Sequence, residues 1–88
     1  MIEKVNTKEI EDREFCYQIV EELARARKKF PKQDVWITLA ALTEEVGELN
    51  KAILEFTHEK DKGVTLKDIR KEAVQTCVMA MRVILDTY

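Results

Sequence analysis

Apolar residues recur at steps of three and four along most of this chain, the period of helices that bury one face. Two polar stretches interrupt the pattern. At Phe30-Pro31-Lys32-Gln33-Asp34 the proline disfavours helix in the residue before it. At His58-Glu59-Lys60-Asp61-Lys62-Gly63 the run is mostly charged and closes on glycine. Three helices are therefore predicted, with no internal repeat and no low-complexity tract.

The first should run from about Thr7 to Lys29, opened by Asn6 with Glu9 in capping register. Its apolar face is Ile10, Phe15 or Cys16, Ile19, Leu23 and Ala26. The second should span Asp34 to Thr57, with Asp34 as N-cap. Along it Val35, Leu39, Leu42, Val46, Leu49, Ile53 and Phe56 alternate in steps of four and three, an unbroken heptad seam. The third should begin at Thr65, with Asp68 in capping-box register. It carries one apolar track through Leu66, Ile69, Ala73, Thr76, Ala80 and Val83, and a second through Val74, Cys77, Met81, Ile84 and Tyr88. So wide a face needs cover on two sides. The expectation is one all-α domain over residues 1–88, an antiparallel hairpin or bundle of three long helices completed by homo-oligomerisation as a dimer or tetramer.

Composition agrees with helices and narrows the partners. Only two glycines and one proline stand among 88 residues, while 36% are charged. A net charge of −2 gives no general attraction to nucleic acid or to an anionic membrane. No apolar run approaches the ~20 residues of a membrane span, and a cytoplasmic location is expected. Cys16 and Cys77 lack metal-ligand spacing and sit in largely apolar helical patterns, so reduced core thiols are expected. Arg25, Arg27, Lys28 and Lys29 crowd the end of the first helix. They offset the negative end of its macrodipole, or else form a phosphate or nucleic-acid patch.

The candidate chemistry lies in Thr43-Glu44-Glu45-Val46-Gly47-Glu48-Leu49. Glu45 and Glu48 are three residues apart, on one face and about a turn from each other, bordering the apolar seam. Their stripe continues through Thr38, Ala41 and Ala52, whose small size leaves space. Glu44 falls on the side away from the seam, where exposure is expected. The third helix carries a stripe of Glu72, Gln75, Met79, Arg82 and Asp86. Laid antiparallel, Glu72 and Gln75 can face Glu45 and Glu48 across a groove. Carboxylates beside a core repel one another and resist desolvation, and a divalent cation would remove that penalty. Three carboxylates and an amide oxygen suit Mg²⁺ or Mn²⁺. A solvated acidic helix face is the plainer reading of the same residues.

The segment from Leu42 to Ile53, Leu-Thr-Glu-Glu-Val-Gly-Glu-Leu-Asn-Lys-Ala-Ile, resembles the signature of the MazG family of all-α nucleoside triphosphate pyrophosphohydrolases. That family pairs Glu-Glu-x-x-Glu with Glu-x-x-Asp on the next helix. Here Glu44, Glu45 and Glu48 complete the first motif, and Glu72-Ala73-Val74-Gln75 stands for the second. The resemblance covers roughly residues 26–84. It implies a metal held by Glu45, Glu48 and Glu72, with Gln75 where an aspartate is usual. It also implies hydrolysis of a (deoxy)nucleoside triphosphate substrate to monophosphate and pyrophosphate. Glu44 or Glu45 would activate the water, and Trp36, Lys51 and Arg82 are the candidate substrate contacts. Two other readings compete. One is a helical interaction module that has lost catalysis, favoured by Gln75 and the broad third helix. The other is a nucleic-acid binder built on the Arg25–Lys29 cluster, which the acidic balance disfavours.

Overall fold

The computed structural model describes residues 7–88, which form α1 (Thr7–Lys29), α2 (Val35–His58), a short 3₁₀ turn (Lys60–Lys62) and α3 (Leu66–Leu85). The all-α class is as expected, and each helix lies within a residue or two of the span its periodicity predicts. Asp34 caps α2 by accepting from the Trp36 N–H at 2.8 Å. Thr65 and Asp68 form the reciprocal capping box of α3. Gly63 takes a left-handed φ of 69° after the 3₁₀ turn, a conformation open to glycine at no steric cost. The cap expected at Asn6 lies outside the described residues.

α3 is the shared element, packed against both α2 and α1, whereas α1 and α2 bring no Cα atoms within 8 Å of each other. The result is a slab of 50 × 41 × 17 Å. Its radius of gyration, 15.8 Å, exceeds the roughly 12 Å of a compact chain of this length. One layer of helices cannot enclose a core. Leu23, Ala52 and Val78 are the only buried apolar residues described, with Val78 deepest at 1% exposed.

α3 does not cover the heptad seam of α2; it covers the neighbouring stripe, where Thr38 and Ala52 are buried and Ala41 and Glu45 half-buried. Small side chains let the α3 backbone come close. Leu42, Leu49 and Phe56 are thereby half-buried, but Val35, Leu39, Val46 and Ile53 stay exposed. Cys16 is exposed, so it is a free thiol but not a core one, while Cys77 is half-buried. No helix among the described residues is long and apolar enough to cross a membrane.

The open ends of the helices are tied by one polar knot. Arg82, on the last turn of α3, is 3% exposed. Its Nε donates to Asp86 Oδ2 at 3.1 Å and its Nη2 to the carbonyls of Phe30 and Pro31. Arg27, from the last turn of α1, donates from Nε to both Asp86 oxygens at 2.9 and 3.0 Å. Backbone bonds between Gln33 and the Asp86–Tyr88 segment complete the closure.

Candidate metal centre

Because α3 runs along the small-residue stripe of α2, Glu72 comes up against Glu45 and Glu48. Each offers one carboxylate oxygen, and these three oxygens lie within 4.8 Å of one another. Thr76, read from sequence as part of an apolar track, has the job of fixing this level. Its hydroxyl bonds to the carbonyl of Glu72 at 2.9 Å in its own helix and to that of Glu45 at 3.3 Å across the interface. The hydroxyl has one proton for two acceptors, and the shared bond keeps α2 and α3 in register.

Electrostatically the cluster is strained. Burial pushes the Glu45 carboxyl above its ordinary range, and the charges of Glu48, Glu72 and Glu44 push it further. Glu72 is raised as well, first by burial and then by Glu48. Glu45 Oε2 is buried without any hydrogen-bond partner. An ionised oxygen so placed loses its hydration and gains nothing in return. Hard anionic oxygens in this number are what a divalent cation of the Mg²⁺ or Mn²⁺ kind accepts, so the residues fit such an ion.

A pH dependence follows, with its sign. Between the ordinary glutamate value of 4.5 and the raised native values, the folded chain holds more protons than the unfolded one. Stability therefore falls as pH rises through that window and is recovered as pH falls back through it towards 4.5. In chelator, the melting temperature should rise on this acidification, and with saturating Mg²⁺ the rise should shrink. A melting temperature that is flat with pH in chelator would mean the three carboxyls do not interact.

A cleft of about 490 Å³ adjoins the cluster, between α1, α2 and α3. Glu45 and Gln75 line it, together with apolar Phe30, Ile37, Ala41, Val78 and Met79. From α1 it receives Glu22, Arg25 and Lys29, which motif reasoning on α2 and α3 did not bring in. Their only sequence signal was the basic end of α1. That basic cluster is largely engaged: Arg25 pairs with Glu22 at 3.3 Å, Arg27 with Asp86, and Lys29 lies over the Phe30 ring.

The other sequence candidates are dispersed. Glu44 is exposed, on the outer flank of α2. Lys51 is also exposed, one turn beyond Glu48. Trp36 is 73% exposed and has no place in the core of the single chain. Arg82 lines the cleft, yet its Nε and Nη2 are committed to Asp86 and to two backbone carbonyls. Those bonds give Arg82 a structural role and fix its guanidinium at the wall of the cleft. His58 ends α2 in solvent. No protein-family model, no curated protein and no solved structure matches this chain.

Proposed function

We propose that the chain is a metal-dependent nucleotide pyrophosphohydrolase, converting (deoxy)nucleoside triphosphates to monophosphates and pyrophosphate. The observation that carries this reading is the convergence of Glu45, Glu48 and Glu72 with one carboxylate oxygen buried and unpartnered. The motif resemblance of residues 42–53 and 72–75 supplies the reaction class. A divalent cation held by the three glutamates would neutralise them and supply positive charge to the triphosphate oxygens.

The chain's own residues divide the remaining work. Glu45 reaches both the cluster and the cleft, so its carboxylate can meet a water held between them. It is favoured over exposed Glu44 as the group that orients or deprotonates the attacking water. The apolar lining from Ile37, Ala41, Val78 and Met79 suits a nucleobase or sugar, while Lys29 brings positive charge to its edge. Thr76 keeps the carboxylates at one level.

The test is a metal titration followed by thermal melting. Mg²⁺ or Mn²⁺ at a hundredfold excess over its dissociation constant should stabilise the fold by about 2.7 kcal/mol. Glu48→Gln should respond less. An equal response in both proteins would leave the cluster as a solvated acidic face. Gln75 offers a finer check, because it lines the cleft beside Glu45. Gln75→Asp adds a fourth anion, so it should lower the metal concentration at half-effect and lower the melting temperature in chelator. An unchanged metal midpoint would remove Gln75 from the centre.

A further inference from the structure

The cleft beside the acidic cluster does not end at Gln75. A second hollow of about 690 Å³ continues it between α1 and the first half of α3, and Glu22, Arg25 and Gln75 line both. The two differ in character. Val78 and Met79 line the cleft, whereas Lys67, Arg70 and Lys71 line the groove that continues it. Lys67, Lys71 and Val78 follow one another at steps of four and seven, on one face of α3, so the cations extend the line of the cleft floor. The groove's acids are mostly engaged. Glu22 is paired with Arg25 and Asp68 caps α3, which leaves Glu21. Among the described residues no ion pair holds Lys67, Arg70 or Lys71. The Arg70 guanidinium lies instead over the Phe15 ring, 5.7 Å from its centre.

These features follow one another along α3 as the parts of a nucleotide do. Val78 and Met79 lie at the apolar cleft, Glu72 of the acidic cluster precedes them, and Lys71 and Lys67 precede Glu72. At 1.5 Å per residue, Lys67 stands about 8 Å along the axis beyond Glu72 and about 17 Å from Val78. A nucleoside in the cleft turns its α-phosphate towards the cluster, and whatever lies past the broken bond enters the groove. Pyrophosphate would leave most of that space unfilled. The groove lies within the roughly 300–1,000 Å³ of sites that take a whole small molecule.

We propose, resting on the pyrophosphohydrolase reading, that the groove holds a second nucleoside and that the substrates include dinucleoside polyphosphates. Lys67 and Lys71 meet the distal phosphates. The distal base stacks on the Arg70 guanidinium, which Phe15 supports from behind. For a dinucleoside tetraphosphate the bond changes are those of the triphosphate. Water adds to the α-phosphorus, and its proton passes by way of the Glu45 carboxylate to solvent. The α,β phosphoanhydride bond breaks, and the bridging oxygen keeps the electron pair. One nucleoside monophosphate and one nucleoside triphosphate are formed, the latter in place of pyrophosphate.

Probes that cannot be cut read the groove apart from turnover. One is a nucleoside triphosphate with a methylene bridge between its α and β phosphorus atoms. The other is a dinucleoside tetraphosphate with that bridge at both ends. Each is made with all four bases and titrated calorimetrically with Mg²⁺ present. The wild-type chain should bind the dinucleotide about tenfold more tightly than the triphosphate, the effect of one stacked base. Arg70→Ala should bring the two affinities together. Arg70 is exposed, so its truncation opens no cavity in the fold. Lys67→Glu, a second variant on the same wall, should weaken the dinucleotide more than the triphosphate. Equal affinities in the wild type, a preference that survives Arg70→Ala, or no binding of either probe would overturn the proposal. Hydrolysis tests the reading beneath it separately. A chain that cuts triphosphates but binds both probes alike loses the groove alone. A chain that prefers the dinucleotide probe yet cuts no triphosphate keeps the groove and loses the reaction.

Discussion

Arg82→Ala should cost the fold about 3–5 kcal/mol, enough to unfold much of a chain with so small a core. Arg82 is 3% exposed, and its truncation leaves three acceptors exposed to the loss at once. Asp86 keeps only Arg27, and the Phe30 and Pro31 carbonyls lose their donor. Two of these acceptors belong to the segment joining α1 to α2, so the loss also releases that segment from α3. Arg82→Lys should recover part of the stability, since an ammonium keeps the charge but cannot reproduce the planar fork. Arg27→Ala should cost much less, because its guanidinium is 46% exposed and water can replace the bond. Acid should reproduce part of the effect. Hydrogen bonding from Arg27, aided by Arg82, holds the Asp86 carboxyl below its usual 3.8 against the opposing pull of burial. That stabilisation is present above pH 4 and is lost as pH falls through the lowered value. Urea unfolding of the three variants checks the order, and an Arg82→Ala chain as stable as Arg27→Ala would contradict it.

Glu45→Gln should reduce nucleotide hydrolysis by about 10²–10³-fold and, in chelator, raise the melting temperature. The two effects come from one cause. Glu45 is half-buried beside Glu48 and Glu72 at an electrostatic cost to the metal-free fold. The neutral amide relieves the cost and would also remove a candidate anionic ligand and the candidate base. Losses of about 3–4 kcal/mol of transition-state stabilisation are usual for such groups and correspond to this rate factor. A residue that served only packing would lower both quantities together. Opposite signs in activity and metal-free stability are therefore the signature of a group placed for chemistry.

The three helices and their caps were legible because they depend on near neighbours. Asp34 reaches Trp36, Thr65 reaches Asp68, and the Pro31 and Gly63 breaks act within their own turns. The packing was only half legible. Heptad spacing identified Leu39, Val46 and Ile53 as residues that want cover, but not which helix would supply it. In the single chain α3 takes the stripe of Thr38, Glu45 and Ala52 instead. Small residues allow a closer approach there, and no periodicity argument ranks that gain against a larger apolar seam. The acidic cluster was legible in part for a similar reason. Spacing put Glu45 and Glu48 together on α2, and antiparallel α3 brings Glu72 to them. The role of Thr76 depended on a register that the sequence does not display. Arg82 was assigned to the right stripe, but its part in tying α3 to the segment between α1 and α2 was not read. Its acceptors at Phe30 and Pro31 lie 52 and 51 residues away along the chain. No local pattern announces a tertiary contact of that kind.

The most direct measurement is product analysis after incubation of the chain with a panel of nucleoside and deoxynucleoside triphosphates and Mg²⁺ or Mn²⁺. Monophosphate and pyrophosphate should appear in equal amounts, only with metal, and at a rate that collapses in Glu48→Gln. Release of orthophosphate with a diphosphate, or no turnover of any member of the panel by a folded, metal-loaded chain, would contradict the pyrophosphohydrolase reading.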